Sequence, residues 1–144
     1  MKPIKLARAL LVAMSLLGPI GAGAQSYPSK PIRWIVTFQA GGTTDIVARI
    51  VGQKLSESFG QQVIIDNRPG ASGMIGTELG AKAPPDGYTL TFAYNGNMTM
   101  NPNLFKKLPY DTLRDFTGIS MLTRTPMVLV VHPSVPAKSL AEFM

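Results

Sequence analysis

Three apolar, β-branched runs separated by two helix-length segments constrain this chain more than any other feature. Ile32 to Phe38 (IRWIVTF) is nearly continuous in its apolarity, which suits a strand covered on both faces. From Thr44 the period becomes helical. Ile46, Val47, Ile50, Val51, Leu55 and Phe59 fall on one broad face, while Arg49, Gln53, Lys54 and Glu57 lie largely off it. Gly60 is a natural stop. Val63 to Asp66 reads as a second strand, Asn67 to Ser72 as a turn-rich loop, and Gly73 to Ala83 as a second helix with Ile75 and Leu79 inward. Pro84-Pro85-Asp86-Gly87 is a strong turn, and Tyr88 to Tyr94 (YTLTFAY) reads as a third strand. A β-α-β-α-β order with crossovers of this length predicts an open α/β sheet of parallel strands. Ligands of such sheets sit beyond the carboxyl ends of the strands. The three segments expected there, Gln39 to Thr44, Asn67 to Gly73 and Asn95 to Asn101, are all polar and contain glycine.

The flanks read differently. Lys2, Lys5 and Arg8 precede the apolar stretch Ala9 to Ile20, which is short for a membrane span, and Ala22 and Ala24 stand in the A-x-A arrangement that signal peptidase accepts. The expectation is a signal peptide over residues 1–24, cleaved near Ala24, and a periplasmic mature chain from Gln25. An uncleaved N-terminal anchor is the alternative, and with no Cys at the junction there is no point for lipid attachment. Three cations and no acid leave with the signal, so the formal charge falls from +6 to +3. The remaining cations are dispersed except for Lys106-Lys107, which gives no footprint for nucleic acid. The absence of Cys excludes a disulfide framework and a thiolate metal site. Past Asn101-Pro102, which opens a short helical turn, Thr117 to Thr123 and Met127 to Val131 read as two strands. Ser139-Leu140-Ala141-Glu142 has capping-box spacing and announces a helix two residues before the sequence stops; the expectation is a truncated chain.

Chemistry concentrates in the glycine-bearing segments. In Gly41-Gly42-Thr43-Thr44-Asp45 a strand ends, two glycines turn the chain, and a helix begins. The unsatisfied N–H groups of the first helical turn, with the macrodipole behind them, favour an anion. A tight connection capped by Thr43 or Thr44 explains the same residues equally well. Asp45 is suited either to capping its own helix or to accepting a hydrogen bond from a ligand. Ala71, Ser72 and Gly73 repeat the arrangement at the second helix. Gly70, Gly73 and Gly76 resemble part of a dinucleotide fingerprint but follow the wrong strand. Arg68 is placed either to neutralise an anion or to pair with Asp66. The third segment offers Tyr94, Asn95, Gly96 and Asn97, or else a polar turn, and Asn97-Met98-Thr99 also fits a glycosylation acceptor. His132 is the only histidine and lies far in sequence from the glycine loops, so no nucleophile–base pair, metal-ligand cluster or phosphate loop is readable. No catalytic residue, metal or cofactor is expected.

Several of these segments recur in one order in a known family: Tyr27 to Arg33 (YPSKPIR), Gly41-Gly42-x-x-Asp45, Asn67 to Ala71 (NRPGA), Pro85 to Leu90 (PDGYTL), Asn101-Pro102, Leu108 to Asp111 (LPYD), Asp115-Phe116 and Pro133 to Ser139 (PSVPAKS). From Tyr27 to Met144 the chain resembles the periplasmic solute-binding proteins of the tripartite tricarboxylate transporter group, also called Bug receptors. The resemblance implies a periplasmic-binding-protein-like (Venus flytrap) fold. Residues 25–105 would form the first lobe with its open β-α-β-α-β sheet, and 106–144 the start of a second. It implies a monomeric receptor that clamps a carboxylate-bearing solute and delivers it to membrane transporter subunits. The family's seat of backbone amides and waters maps onto Gly41 to Asp45, Ala71 to Gly73 and the stretch after Tyr94. Where the family has Pro before the glycine pair, this chain has Gln39-Ala40, which loosens the loop and adds an amide.

Micromolar affinity requires roughly −8 kcal/mol, and a carboxylate at one helix N-terminus contributes about 0.3–2 kcal/mol. One lobe is therefore expected to bind weakly. Two other readings stand beside the receptor: a ligand-presenting signalling module that addresses a membrane sensor, and a nucleotide-dependent α/β enzyme with Asp66 holding a ribose.

Overall fold

A computed structural model describes residues 26–126 and 128–144. The expected export signal and Gln25 lie outside the described residues, as does Met127. The strands are β1 (Ile32–Val36), β2 (Val63–Asn67) and β3 (Thr89–Thr91), with helix α1 (Thr43–Phe59) between the first two and α2 (Met74–Ala81) between the second pair. Short helices α3 (Asn101–Leu104) and α4 (Leu140–Phe143) follow. All pairing is parallel, in the order β2-β1-β3, with Trp34 opposite both Ile65 and Leu90. The β-α-β-α-β reading therefore holds, although β3 is shorter than the expected Tyr88 to Tyr94.

β1 is central, and Ile32, Trp34, Ile35 and Val36 are all buried. Alternation along the strand sorts them to two faces. On one face Ile32, Trp34 and Val63 form a core joined by Val51 and Leu55 of α1 and by Leu90 and Phe92. The Trp34 ring stacks on Phe92 at 6.0 Å. Burying each large apolar side chain contributes about 1.5–3 kcal/mol. On the other face α2 lies against Thr37 and Thr91. The two crossovers thus cover opposite faces of the sheet.

Val51 and Leu55 face the core as expected, but both helices make their closest approach through small residues, which corrects the rest of the expected inward faces. Ile46 and Ile50 are 51% and 61% exposed, and Ile75 and Leu79 are also exposed. The buried positions of α1 are instead Asp45, Ala48 and Gly52. A Cβ on Gly52 would lie 3.1 Å from Ile65 Cδ1, so the missing side chain brings the helix axis close to the sheet. In α2 the buried pair is Gly76 and Thr77. α1 stops where expected: Gly60 takes the left-handed conformation and its N–H bonds the Ser56 carbonyl. Ser56 Oγ then accepts from Val63 N–H at 2.9 Å, tying the helix end to the start of β2.

The two strands expected over Thr117 to Thr123 and Met127 to Val131 do not form among the described residues. The segments have strand-like composition, but a strand exists only as part of a ladder, and among the described residues no neighbouring strand pairs with them. Ile119, Val128 and Val130 consequently stay exposed. The Ser139 half of the capping box forms, with Oγ accepting from Glu142 N–H, while Glu142 Oε2 reaches one residue further back, to Lys138 N–H.

A Cβ at position 76 would sit 2.7 Å from the Arg68 carbonyl and 3.0 Å from Thr37 Cγ2. Gly76→Ala, normally stabilising in a helix, should therefore destabilise by about 1–3 kcal/mol. Gly118→Ala, in open space, should change little. Urea denaturation of both variants checks this, and an unchanged midpoint for Gly76→Ala would show that α2 is free to shift.

Candidate functional site

The site begins where β1 ends. Thr37 is fully buried, and Phe38 to Gly42 then carry the chain into α1. Gly42 is the N-cap residue, and no side chain caps the helix. Thr43 and Thr44 do not supply the cap that the alternative reading required. The first N–H groups of α1 lack intrahelical acceptors by the geometry of any helix, and the macrodipole adds about half a positive charge there.

Asp45 is not available to a ligand. Its buried carboxylate accepts from Gly41 N–H at 2.8 Å and Arg49 Nε at 2.9 Å on one oxygen, and from Asn67 Nδ2 at 3.0 Å on the other. Asn67 Nδ2 also donates to the Phe38 carbonyl at 3.1 Å. Asp45 thus ties the glycine turn, the helix start and the end of β2 together. The Arg49 hydrogen bond, followed by that of Gly41, holds its carboxyl down to about 2 against the opposing effect of burial.

The second loop is strained. Gly70, Ala71, Ser72 and Gly73 all have positive φ, at 123°, 46°, 55° and 82°. For Ala71 and Ser72 the left-handed region costs on the order of 1–3 kcal/mol each, and such strain clusters at ligand clamps. Successive turned residues of this kind make a concavity of N–H groups. The Gly73 N–H closes the turn onto the Gly70 carbonyl at 2.9 Å. Among the described residues no hydrogen bond engages the N–H of Ala71 or Ser72.

These two loops, after β1 and β2, line one cleft of about 430 Å³ formed by Thr37, Phe38, Gln39, Ala40, Gly42, Pro69, Gly70, Ser72 and Gly73. It lies at the carboxyl ends of the adjacent parallel strands β1 and β2. Of the expected site residues Gly42, Ser72 and Gly73 line it. Gly41, Thr43, Thr44, Asp45 and Ala71 adjoin it without lining it. Gln39, flagged as a departure from the family pattern, lines it too. Sequence reasoning missed Thr37, Phe38, Pro69 and Gly70 as lining residues; only their places next to the glycine turns signalled them.

The third segment is not a loop. Gly96–Met100 forms a π-helical turn that runs directly into α3. Asn97 is fully buried: Oδ1 accepts from Tyr94 N–H at 2.9 Å, and Nδ2 donates to Thr77 Oγ1 at 2.8 Å and Thr37 Oγ1 at 3.4 Å. It is therefore withdrawn both from a ligand and from glycosylation. Gly96 lies under the Tyr94 ring, 2.5 Å from Cε1 to where a Cβ would stand. Tyr94 and Asn95 are exposed, and Tyr94 meets Phe38 edge-on at 5.0 Å.

Asp66 is committed elsewhere. It accepts from Arg33 Nε at 2.7 Å and Arg68 Nε at 2.8 Å. Burial pushes its carboxyl up, but these two guanidinium groups outweigh that and hold it below the ordinary range. An ion pair, not a ribose or anion contact, occupies both Asp66 and Arg68. His132 bonds Ser134 Oγ on the exposed C-terminal segment. Among the described residues no group of three or more His, Asp or Glu side chains converges as a metal site, and no helix is long and apolar enough to cross a membrane.

Comparison with known proteins places this geometry. The family described as the tripartite tricarboxylate transporter family receptor matches residues 47–144. A UPF0065 protein of Bordetella bronchiseptica is 40% identical over 141 residues, 96% of this chain and 42% of the relative. Protein BugT of Bordetella pertussis is 41% identical over 118 residues, 81% of this chain and 36% of the relative. The chain thus spans about two fifths of the length of such relatives. Among solved structures, an R. palustris protein with adipate is 38% identical with a TM-score of 0.71, covering 81% of this chain and 39% of that one. MatC from Rhodopseudomonas palustris with bound malate is 36% identical with a TM-score of 0.70, covering 81% of this chain and 40% of that one. BugD, described as a periplasmic binding protein, gives 37% and 0.59 over 62% of this chain and 30% of that one. The α/β fold is that of part of a periplasmic binding protein.

The depressed pKa of Asp45 sets a pH dependence. Its folded value lies below the ordinary 3.8, so its contribution is full above about pH 4 and is lost as pH falls through about 2. Asp45→Asn should cost roughly 1–3 kcal/mol at pH 7 and should flatten the stability curve over that acid window. Denaturant titrations of both proteins from pH 2 to pH 7 check it; parallel curves would contradict the brace.

Proposed function

Because the chain belongs to the tripartite tricarboxylate transporter receptor family, we propose that it is an extracytoplasmic solute receptor. Its first lobe seats one carboxylate of a small organic acid destined for a membrane transporter of that type. The observation that carries the reading is the meeting of two donor sets on one cleft: the helix start at Gly42, which no side chain caps, and the left-handed turn at Ala71 to Gly73. Neither set has a Cβ at the glycine positions to hold a ligand away. Anion binding at such a helix start needs no cationic side chain; the nearby Asp45–Arg49 pair is internally neutral, and Arg33, Asp66 and Arg68 form a cluster with one net positive charge. The acids bound by the R. palustris neighbours, adipate and malate, support a dicarboxylate as the ligand class.

In this reading residues 1–24 direct export, 25–105 form the first lobe, and 106–144 begin a second that would cover the cleft by hinge closure. Gly42, Ser72 and Gly73 contact the solute directly, Gln39 tunes preference at the rim, and Tyr94 and Asn95 close the side next to Phe38. Asp45 acts only as a brace. The protein works as a monomer, binds its solute unchanged, and uses no metal or cofactor. The assignment of a receptor role rather than a catalytic one rests on the family.

Calorimetry with malate and adipate tests the seat. The surface present on this chain supports affinity in the millimolar range, about −4 kcal/mol. Gly42→Asp is the discriminating variant. Gly42 has φ −77° and its Cβ position is 3.6 Å from the nearest atom, the Gln39 carbonyl oxygen. Asp is thus accommodated, and as an N-cap it should leave stability unchanged or raise it by a few tenths of a kcal/mol. Its charge would nevertheless occupy the seat, and binding should fall at least about tenfold, 1.4 kcal/mol. Undiminished binding by Gly42→Asp would place the carboxylate elsewhere.

A further inference from the structure

The strained turn at Ala71 to Gly73 is held from behind by side chains that never reach the cleft. Asn101, at the start of α3 and 3% exposed, donates from Nδ2 to the Ser72 carbonyl at 3.1 Å. Thr77, fully buried in α2, donates from Oγ1 to the Gly73 carbonyl at 2.8 Å. The other two carbonyls of the turn are bonded within it, Gly70 by Gly73 N–H and Ala71 by Met74 N–H. All four carbonyls from 70 to 73 are therefore engaged by protein, whereas among the described residues the N–H groups of Gly70, Ala71 and Ser72 have no acceptor.

Asn101 is itself held. The Tyr110 hydroxyl, also buried, lies 3.3 Å from its Nδ2 and donates to the Asn97 carbonyl at 2.8 Å. The π-helical turn before α3 thus has a function in the fold: it displaces the helix register so that Asn97 faces Thr77 while Asn101, one turn on, faces Ser72. A π turn inside helical structure marks functional geometry often enough to prompt the question. Here the answer is on the other side of the contact, at the turn.

We propose that Asn101, assisted by Thr77, is a positioning residue that fixes the left-handed Ala71–Ser72 backbone and thereby points its two free amides at the solute carboxylate. The inference rests on the proposed carboxylate seat, but its first consequence concerns the unliganded protein and is measurable without any ligand. Without the Nδ2 donor the Ser72 carbonyl loses its partner within the protein, the left-handed backbone loses a restraint, and the turn relaxes toward ordinary φ values.

The test is amide hydrogen exchange, followed by calorimetry with malate, on Asn101→Ala, Thr77→Val and Thr77→Ser. Thr77→Val keeps the volume and removes the hydroxyl, and it carries the test alone if Asn101→Ala does not fold. In the folded variants, exchange at Gly73 and Met74, whose N–H groups close the turn, should rise at least about tenfold. The Arg68 and Phe92 amides, bonded to the Val36 and Ile35 carbonyls of β1, should change little. Thr77→Ser should behave as the natural protein. Malate affinity should fall about tenfold in Asn101→Ala and Thr77→Val with the sheet amides still protected. Equal acceleration at all four amides, or unchanged exchange at Gly73 and Met74, would overturn the proposal. If the natural protein binds no malate or adipate, the carboxylate reading fails while the exchange result still decides whether Asn101 holds the turn.

Discussion

The geometry of the cleft depends on one buried carboxylate. Asp45 takes three hydrogen bonds from three parts of the chain: the glycine turn after β1, its own helix one turn on, and the last residue of β2. A carboxylate in the first turn of a helix is favoured by the macrodipole, so the brace is sited where its charge is least costly to bury. It also explains how the loop after β1 stays open. A side chain that capped the helix in the usual way would occupy the N–H groups that the cleft exposes. Asp45 reaches back to Gly41 instead, supporting the turn from one residue before the cap and leaving Gly42 uncovered.

The second half of the cleft uses the opposite device. The first loop relies on glycine and a charged brace, whereas the second holds Ala71 and Ser72 in a conformation that L-residues avoid. Strain of that kind persists only when the surroundings over-determine it. The surroundings are the buried polar cluster of Thr37, Thr77, Asn97, Asn101 and Tyr110, which connects the end of β1, the start of α2 and the segment leading to α3. A satisfied buried network is rigid, and its cost if broken is high. Both loops are thus fixed to the sheet by polar contacts, and the apolar core, on the Trp34 face, stays away from the site.

Much of this was legible in the residues and some was not. The order of strands and helices followed from the change of period at Thr44 and the glycine at position 60. The parallel sheet, and the placing of two glycine-bearing loops at one end of it, followed from the crossover lengths. The inward helix faces followed only in part: Val51 and Leu55 do reach the core, but apolar periodicity pointed also to Ile46, Ile50, Ile75 and Leu79, whereas close approach selected Ala48, Gly52, Gly76 and Thr77. A small residue leaves no hydrophobic signal; its meaning depends on what lies opposite, such as the Arg68 carbonyl against Gly76. The role of Asp45 is only half legible: its place in the first helical turn suits capping or ligand binding, but nothing local signals a brace across to Asn67, 22 positions away. Asn97 was misplaced for the same reason, since its partner Thr37 lies 60 positions earlier. The strands expected beyond Thr117 had β-branched and apolar residues but, among the described residues, no ladder to join.

The central claim is that backbone N–H groups of two loops, held by Asp45 on one side and by the Asn101 cluster on the other, form a single seat for a carboxylate. Titration of the isotopically labelled protein with malate, followed by amide NMR, tests it most directly. The account predicts that the Gly42, Thr43, Ala71 and Ser72 amides shift together along one binding curve, while the amides of residues 131–142 stay in place. Shifts confined to that C-terminal segment, or loops that respond with different affinities, would contradict it.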